Sequence, residues 1–489
     1  MKKHTGLILL GAAAAASVVL CVLSLIFWLG AQPEHADAKI VIYEAPAGVD
    51  AYPDMELRVD GNPVFLYNTP VNNSHEWVQS GDPPMNYTPM GYFDFDGTVT
   101  VTVTLPEGTE SVIVRPVAFG IEPSIKGGKL SFTISEPGAY TVEFNGSVVG
   151  ALHLFANPIE QDAPKEEDQD VLFIGPGLWD IGLYVIDSHT TVYISGGAVV
   201  RGAFISIHTE DVHIQGRGIV DGSGYDSWTK PGKIPMVPID FRQVKNASAE
   251  GVILFNPNAW CFSGLSVENL KISGIKIISA RQNGDGITLQ SCRNVHVSDC
   301  FVRSWDDSLV VKNYEGSSDN IIFDHIQIWT DLAQSMEIGY ETNKGKREDA
   351  SITNVTFQNI TVLHNFHKPV ISIHNSDDAT VSGIVYRNIT VEDARMGQGD
   401  AGTNNQLIDF LIGNSGWSST KGRGHITNIT IDGLRVLDGV FPPSRIQGFD
   451  SDHQVTDVKI KNLEILGERI TSLDMGKFQL RNASDINIE

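Results

Sequence analysis

The stretch that decides the fold is RNVHVSDCFVRS, Arg293–Ser304, because it displays a template that much of the chain repeats. An Asn is followed by alternating apolar residues, a short polar break and a second alternating run. Such alternation is typical of strands with one buried face, and no helical period accompanies it. The template recurs as DVHIQGRGIVDG, ENLKISGIKIIS, DNIIFDHIQIWT, TNVTFQNITVLH, ITNITIDGLRVL and TDVKIKNLEILG.

A turn residue anchors each repeat and recurs every two to three dozen positions. A repeat of this length predicts a solenoid, in which each unit buries its apolar face against its neighbours. Because each unit holds two or three short strands, we predict an all-β, right-handed parallel β-helix, with the hand given by the usual crossover rule. The anchors are Asn269, Asn294, Asn320, Asn354, Asp457 and Asp485.

The residues before the repeats follow a different pattern. GTVTVTVTLPEG, Gly97–Gly108, alternates strictly, and GKLSFTISEPGAYTVEFNG, Gly128–Gly146, adds strands separated by turn residues. We therefore predict an N-terminal β-sandwich domain at 39–156. The next stretch, NPIEQDAPKEEDQD, is acidic and holds two prolines, which predicts a linker at 157–170 and a β-helix domain at 171–489.

The first residues predict export. Lys2 and Lys3 precede an uncharged apolar run at 6–30, and Ala36-Asp37-Ala38 offers a cleavage site. We interpret 1–38 as a signal peptide or a signal-anchor. The positive charges lie before the apolar run, so the rest of the chain faces outward. The protein is then secreted, or held outside the cell by membrane anchoring through residues 6–30.

Charge and cysteine content narrow the class of protein. The net charge of −24 excludes a nucleic-acid partner, which needs basic patches, and it disfavours an anionic substrate. Beyond the opening segment the cysteines are Cys261, Cys292 and Cys300. Three cysteines allow at most one disulfide, so we expect buried free thiols rather than a disulfide scaffold.

Acidic residues recur at the spacing of one coil. Asp285, in NGDGI, precedes Asp306 by 21 positions and Asp307 by 22, so stacking should place it about 5 Å from that pair. Crowded carboxylates raise one another's pKa, and an acid that stays protonated beside ionised ones is what glycoside hydrolysis needs. Neighbours on a strand point to opposite faces, so we predict a bulge or turn at Asp306 and Asp307. A Ca²⁺ site is the alternative use of such a cluster.

Three motifs give residues 170–489 a family resemblance. IQGRGIVDGSGYDSW, Ile214–Trp228, is similar to I-x-G-x-G-x-I-D-G-x-G-x-x-W; NGDGI, Asn283–Ile287, is similar to N-T-D-G-[IV]; and WDDS, Trp305–Ser308, is similar to [GQ]-D-D-[CS]. These are signatures of glycoside hydrolase family 28, the polygalacturonases, to which family 49, the dextranases and isopullulanases, is related. One departure is Gly284, which stands where the family has Thr.

The resemblance also predicts a mechanism. It implies an inverting reaction that needs no metal and no cofactor, on a polysaccharide substrate. By position in the motifs, Asp306 would be the general acid, and Asp285 and Asp307 would activate the water.

Other departures bear on the substrate. Gln334 stands where the family has its catalytic His, and Glu337 stands where it has Ser. The R-I-K that holds a substrate carboxylate in polygalacturonases matches SIHN here, so Ser372 and His374 replace the Arg and the Lys. Family 49 also lacks that pattern, acts on neutral α-glucans and has an N-terminal β-sandwich. We therefore expect a neutral polysaccharide, with pectic galacturonan as the alternative.

Polar and aromatic side chains around the acids are candidates for binding substrate. Lys312 follows the acidic pair at strand spacing, and aromatic rings there can stack on sugars. A β-elimination lyase and a non-catalytic carbohydrate-binding β-helix remain alternative functions. We expect the protein to be a monomer. The substrate-binding candidates are Asn283, Trp305, Lys312, Gln334, Glu337, Tyr340 and His374.

Overall fold

A computed structural model describes residues 38–72, 85–397, 399 and 403–489. These residues form strands, turns and one 3₁₀ turn, Val117–Phe119. No helix in this part of the chain is long and apolar enough to cross a membrane. The predicted signal or anchor segment at 6–30 lies outside the described residues.

The N-terminal strands form two sheets that share one apolar core. The first sheet has the order β1-β5-β11-β10-β7, with β4 also paired to β5, and the second has the order β3-β2-β6-β9-β8. The alternating run of β6 buries Val99, Val101 and Val103 in this core, as period-two patterning requires. The strands are β1 Lys39–Ile42, β2 Leu57–Val59, β3 Asn62–Val64, β4 Tyr67–Val71, β5 Asn86–Asp96, β6 Val99–Thr104, β7 Val112–Arg115, β8 Ser124–Lys126, β9 Lys129–Ile134, β10 Gly138–Phe144 and β11 Ser147–Pro158.

The remaining strands form one continuous 30-stranded sheet wound into coils. Strands of successive coils pair in parallel; the hairpin of β38 and β39 is antiparallel. This confirms the predicted right-handed parallel β-helix preceded by a β-sandwich. The strands are β12 Val171–Ile174, β13 Gly177–Val185, β14 Thr190–Ile194, β15 Ala198–Ile207, β16 Glu210–Gly216, β17 Ile219–Asp221, β18 Ile239–Arg242, β19 Lys245–Glu250, β20 Ile253–Phe255, β21 Phe262–Leu265, β22 Glu268–Ser273, β23 Lys276–Ile278, β24 Ile287–Gln290, β25 Arg293–Ser298, β26 Phe301–Ser304, β27 Leu309–Lys312, β28 Ser318–Asp324, β29 Gln327–Thr330, β30 Met336–Tyr340, β31 Ser351–Asn365, β32 Ile371–Asn375, β33 Thr380–Val391, β34 Ile408–Ile412, β35 His425–Val436, β36 Ser444–Gln447, β37 Val455–Lys461, β38 Leu463–Ile465, β39 Glu468–Ile470, β40 Phe478–Arg481 and β41 Ala483–Ile488.

The anchor residues form a ladder along the outside of the coils. Asn269, Asn294 and Asn320 all have a positive φ, a conformation that Asn tolerates better than most residues. Their side-chain amides hydrogen bond from coil to coil: Asn294 donates to Asn269 at 3.1 Å and Asn320 donates to Asn294 at 2.9 Å. The Asn at this turn therefore both fixes the backbone and sets the register of neighbouring coils.

The two domains pack against each other through a shared apolar cluster. Tyr92 and Phe155 of the sandwich meet Phe301 and Trp329 of the β-helix. Between β11 and β12, residues 159–170 contain no strand, within the region for which the sequence predicts a linker.

One face of the β-helix positions the candidate site. On this face β24, β27, β30, β32 and β34 lie side by side in consecutive coils. Their inward positions form a stacked apolar row in the core, and the alternate positions point outward. The inward row is Ile287, Leu309, Met336, Ile371 and Ile408.

Candidate active site

Three turns that precede strands of this face stack on one another. The N–H of Gly286 donates to the carbonyl of Asp307 at 2.8 Å, and the N–H of Ser308 donates to the carbonyl of Gln334 at 2.9 Å. Asp285, Asp307 and Gln334 therefore occupy equivalent positions in three successive coils. This is the neighbour relation that the 22-residue spacing of the two aspartates predicts.

Asp306 lies in the bend between β26 and β27. Its carboxylate accepts the N–H of Asn283 at 3.1 Å and the N–H of Asp307 at 3.1 Å. The hydroxyl of Ser304 donates to the Asp306 carbonyl at 2.6 Å and closes the turn. No regular strand passes through the acidic pair, as the sequence predicts, and Asp306 is the half-buried member while Asp307 is 8% exposed.

Gly286 makes the stacking of these turns possible. A Cβ at this position would lie 2.3 Å from the Ser308 carbonyl oxygen and 2.4 Å from Val302 Cγ1. Only glycine therefore lets the turn that carries Asp285 approach the turn that carries Asp307 so closely.

Burial and mutual repulsion raise the pKa values of two of the acids. Asp285 is 4% exposed, and its pKa lies well above the ordinary value because of burial first and the neighbouring Asp306 charge second. Burial, Asp306 and Glu337 together raise the pKa of Asp307 to about 7. A cluster of this kind retains a proton near neutral pH while presenting ionised oxygens beside it. It can both donate and accept a proton.

Lys312 is the cation that balances the cluster. Its Nζ lies 3.8 Å from Asp285 Oδ2 and 3.5 Å from Glu341 Oε2. Glu341 also accepts the Tyr314 hydroxyl at 3.0 Å. Although burial acts in the opposite direction, these buried carboxylates raise the pKa of Lys312, so it stays charged. The sequence alone left open whether Lys312 pairs with an aspartate, and the structure shows that it does.

A row of alternating charges continues the site along the axis. His374 lies between two carboxylates, with Nδ1 at 2.9 Å from Glu337 and Nε2 at 3.0 Å from Asp409. Arg445 donates twice to Asp409, at 2.8 and 2.6 Å. The hydroxyl of Ser372 donates to Glu337. Although burial acts in the opposite direction, the two carboxylates raise the pKa of His374 to about 10, so the imidazole is positively charged.

Gln334 brings an unsatisfied amide to the site. Its N–H donates to Asp307 Oδ1 at 3.1 Å, while its buried side-chain oxygen and nitrogen have no partner among the described residues. Buried polar groups are normally paired, so this amide is suited to a ligand that supplies an acceptor and a donor.

The other predicted binding residues take distinct places. Asn283 acts through its backbone, as the donor to Asp306. Tyr340 stacks on the His374 ring, with centroids 4.4 Å apart. Trp305 is only 3% exposed, so its ring presents no open face of the kind that stacking on a sugar needs. Its indole N–H lacks a partner among the described residues.

Sequence reasoning missed three charged residues of this region. Asp409 and Arg445 pair in register with Ser372 on successive coils, and the alternation of LIDFLIG around Asp409 is the signal that could have placed it there. Lys368 lies close enough to Asp307 to lower its pKa, but no repeat pattern singles it out.

The fold and the site together define a class of protein: a parallel β-helix that carries a proton-retaining carboxylate cluster on one face. Residues 186–398 match the model of a family described as Glycosyl hydrolases family 28, and this confirms the predicted resemblance. Over these residues the chain is thus similar to the family 28 glycosyl hydrolases.

Individual relatives agree with this placement. A protein of Neosartorya fischeri named "Probable endopolygalacturonase D" is 27% identical over 251 residues, which are 47% of this chain and 49% of that protein. A protein of Vitis vinifera named "Probable polygalacturonase" is 26% identical over 218 residues, covering 36% of this chain and 44% of that protein. The chain thus spans about half the length of these curated relatives, or less.

A solved structure shares the fold over most of the chain. Dex49A from Penicillium minioluteum superposes with a TM-score of 0.62 over 92% of this chain and 96% of its own. At 16% identity this likeness shows a shared fold, in the region before the coils as well as in the coils themselves.

Proposed function

We propose that this protein is an exported glycoside hydrolase that cleaves O-glycosidic bonds of a neutral polysaccharide with inversion. The observation that carries the proposal is the stacked cluster of Asp285, Asp306 and Asp307, in which burial and repulsion keep a proton near neutral pH. Hydrolysis with inversion needs one protonated acid for the leaving oxygen and one ionised base for water. The match to family 28 supports the same chemistry.

Each acid has a role in this mechanism. Asp306 is the most accessible of the three and acts as the general acid: it passes a proton that the cluster retains through Asp285 and Asp307 to the leaving oxygen as the glycosidic bond breaks. Asp285 and Asp307 accept the proton of the water that attacks from the opposite side of the sugar ring. Because the three carboxylates interact strongly, they titrate as a unit, and the protons are redistributed within the cluster during turnover.

A neutral substrate is favoured because the cations of the site are already paired with carboxylates of the protein. The positive charge of His374 is held between Glu337 and Asp409, and Lys312 lies between Asp285 and Glu341. Ser372 carries no charge. A substrate carboxylate near His374 would therefore meet the carboxylate of Glu337, and repulsion would oppose its binding.

Hydrolysis of pectic galacturonan is the second candidate. The names of the curated relatives favour it. So does Lys368, whose positive charge lies near Asp307.

Reducing-end release separates the candidates. The wild type and Asp306→Asn are incubated with dextran, pullulan, galactan and polygalacturonate. Asp452→Asn, which alters an exposed aspartate on a distant turn, is the matched control. We expect release from one neutral polysaccharide, lost in Asp306→Asn and kept in Asp452→Asn, and the NMR spectrum of the first product should show the inverted anomer.

Other outcomes would change the assignment. Release from polygalacturonate alone would favour the second candidate and refute the neutral substrate. Equal release by Asp306→Asn would refute the proposed acid. Absence of release from all four polysaccharides by folded protein would contradict the proposed function and favour a carbohydrate-binding β-helix.

A further inference from the structure

Trp417 is the most exposed of the large apolar side chains in the described residues, at 61%. Its ring lies against Tyr340, with centroids 5.3 Å apart and planes inclined by 35°. Tyr340 in turn stacks on His374, with planes inclined by 15°. The three rings form a continuous stack that begins at the buried His374 and ends in solvent at Trp417, so that Tyr340 and Trp417 present an aromatic surface.

The loop that carries Trp417 is held in place by buried polar contacts. Asp377 is fully buried and accepts the N–H groups of Ser419 at 2.6 Å and Thr420 at 2.8 Å. Arg423 donates to the carbonyls of Ser376 and Thr420 and closes the other side of the loop. The ring is therefore presented on a rigid support rather than on a free loop, which reduces the entropy lost when a ligand binds it.

The position of this surface connects it to the carboxylate cluster. Tyr340 lies at the end of β30, Trp417 follows β34, and the two strands are separated by β32 alone. Two steps between coils correspond to about 10 Å along the axis. Glu337, which lies on the same strand as Tyr340, raises the pKa of Asp307. A chain that extends from the acids toward β34 and across β30 would therefore run toward the aromatic rings.

We propose that Trp417 and Tyr340 form a sugar-binding platform for a pyranose unit of the neutral polysaccharide, beyond the point of cleavage. This inference rests on the proposed function and adds the binding residue Trp417 to it. A pyranose ring has an apolar face of C–H groups that packs on an aromatic ring, while its hydroxyls stay hydrated. An uncharged sugar needs no cation here, in agreement with the paired state of His374 and Arg445.

The test measures affinity and turnover separately. Asp306→Asn and the double variant with Trp417→Ala are compared for their retardation in gels containing dextran, pullulan, galactan or polygalacturonate. Trp417→Phe retains a ring, and Trp179→Ala removes another exposed indole, on β13, as the matched control. We expect about tenfold weaker binding for Trp417→Ala, a smaller loss for Trp417→Phe and no change for Trp179→Ala.

In the otherwise wild-type protein, Trp417→Ala should raise KM about tenfold on the hydrolysed polysaccharide and leave kcat nearly unchanged. Hydrolysis with unchanged affinity and unchanged KM in Trp417→Ala would overturn the platform and leave the proposed function intact. Absence of both retardation and hydrolysis with all four polysaccharides would contradict the platform and the proposed function alike.

Discussion

Replacing Lys312 with Met should shift the pH dependence of hydrolysis upward. The ammonium group lies 3.8 Å from Asp285, so their interaction is ~4 kcal/mol at an effective dielectric constant of 20 and ~1 kcal/mol in water. One pKa unit corresponds to about 1.36 kcal/mol, so the pKa of Asp285 should rise by roughly 1 to 3 units.

The sign follows from the proposed role of Asp285. A base works when ionised, and raising its pKa means that a higher pH is needed to ionise it. The acidic limb of the kcat/KM profile should therefore move to higher pH by roughly 1 to 3 units, and activity at neutral pH should fall. Initial rates on the hydrolysed polysaccharide, measured from about pH 4 to about pH 9, would show this.

Lys312→Arg is the matched control because it retains the charge, and its acidic limb should stay within about half a unit of the wild type. An acidic limb that does not move in Lys312→Met, with kcat/KM lowered equally at every pH, would refute the electrostatic reasoning. Lys312 would then act by contacting the substrate.

Three further predictions concern stability. Asp307→Asn should stabilise the protein by up to ~4 kcal/mol above pH 7 while abolishing activity. The pKa of Asp307 is raised to about 7 in the fold, so keeping this carboxyl in the folded protein costs increasing free energy as pH rises from about 4; denaturant unfolding measures the gain in the variant. The stabilisation from the charged His374, whose pKa is raised to about 10, should be complete below about pH 6.5 and disappear as pH rises through about 10. The difference in melting temperature between the wild type and His374→Gln should therefore narrow across that range. Asp331→Ala should destabilise by ~3–5 kcal/mol, since it leaves the fully buried Arg303, 3.2 Å away, without its carboxylate; equal stability of variant and wild type in urea would contradict this.

The parts of the fold and site that recur at a constant interval were predictable from sequence. The Asn anchors, the alternating strands and the stacking of Asp285 on Asp307 all follow from the period of one coil. The turn at Asp306 followed from alternation, because two neighbouring acids cannot share one face of a strand. The period thus identifies residues that pair in register between coils of similar length.

Contacts that depend on unequal coil lengths or on distant segments were not predictable in this way. His374 and Asp409 lie 35 positions apart, a longer interval than the one that separates the aspartates. The interface between the domains is more remote still: Arg303 contacts His153 across 150 positions, and His364 contacts Glu143 across 221. No periodicity relates such residues, so only the folded chain reveals them.

The charge row from Glu337 through His374 and Asp409 to Arg445 also constrains how this protein can evolve. Each member is balanced by its neighbours, and losing one leaves an unpaired charge in the interior at a cost of ~3–5 kcal/mol. Single substitutions are therefore selected against even where a double substitution would be neutral. A lineage that acquires or loses this row must change its positions in concert, so the row is inherited as a linked set of residues rather than one residue at a time.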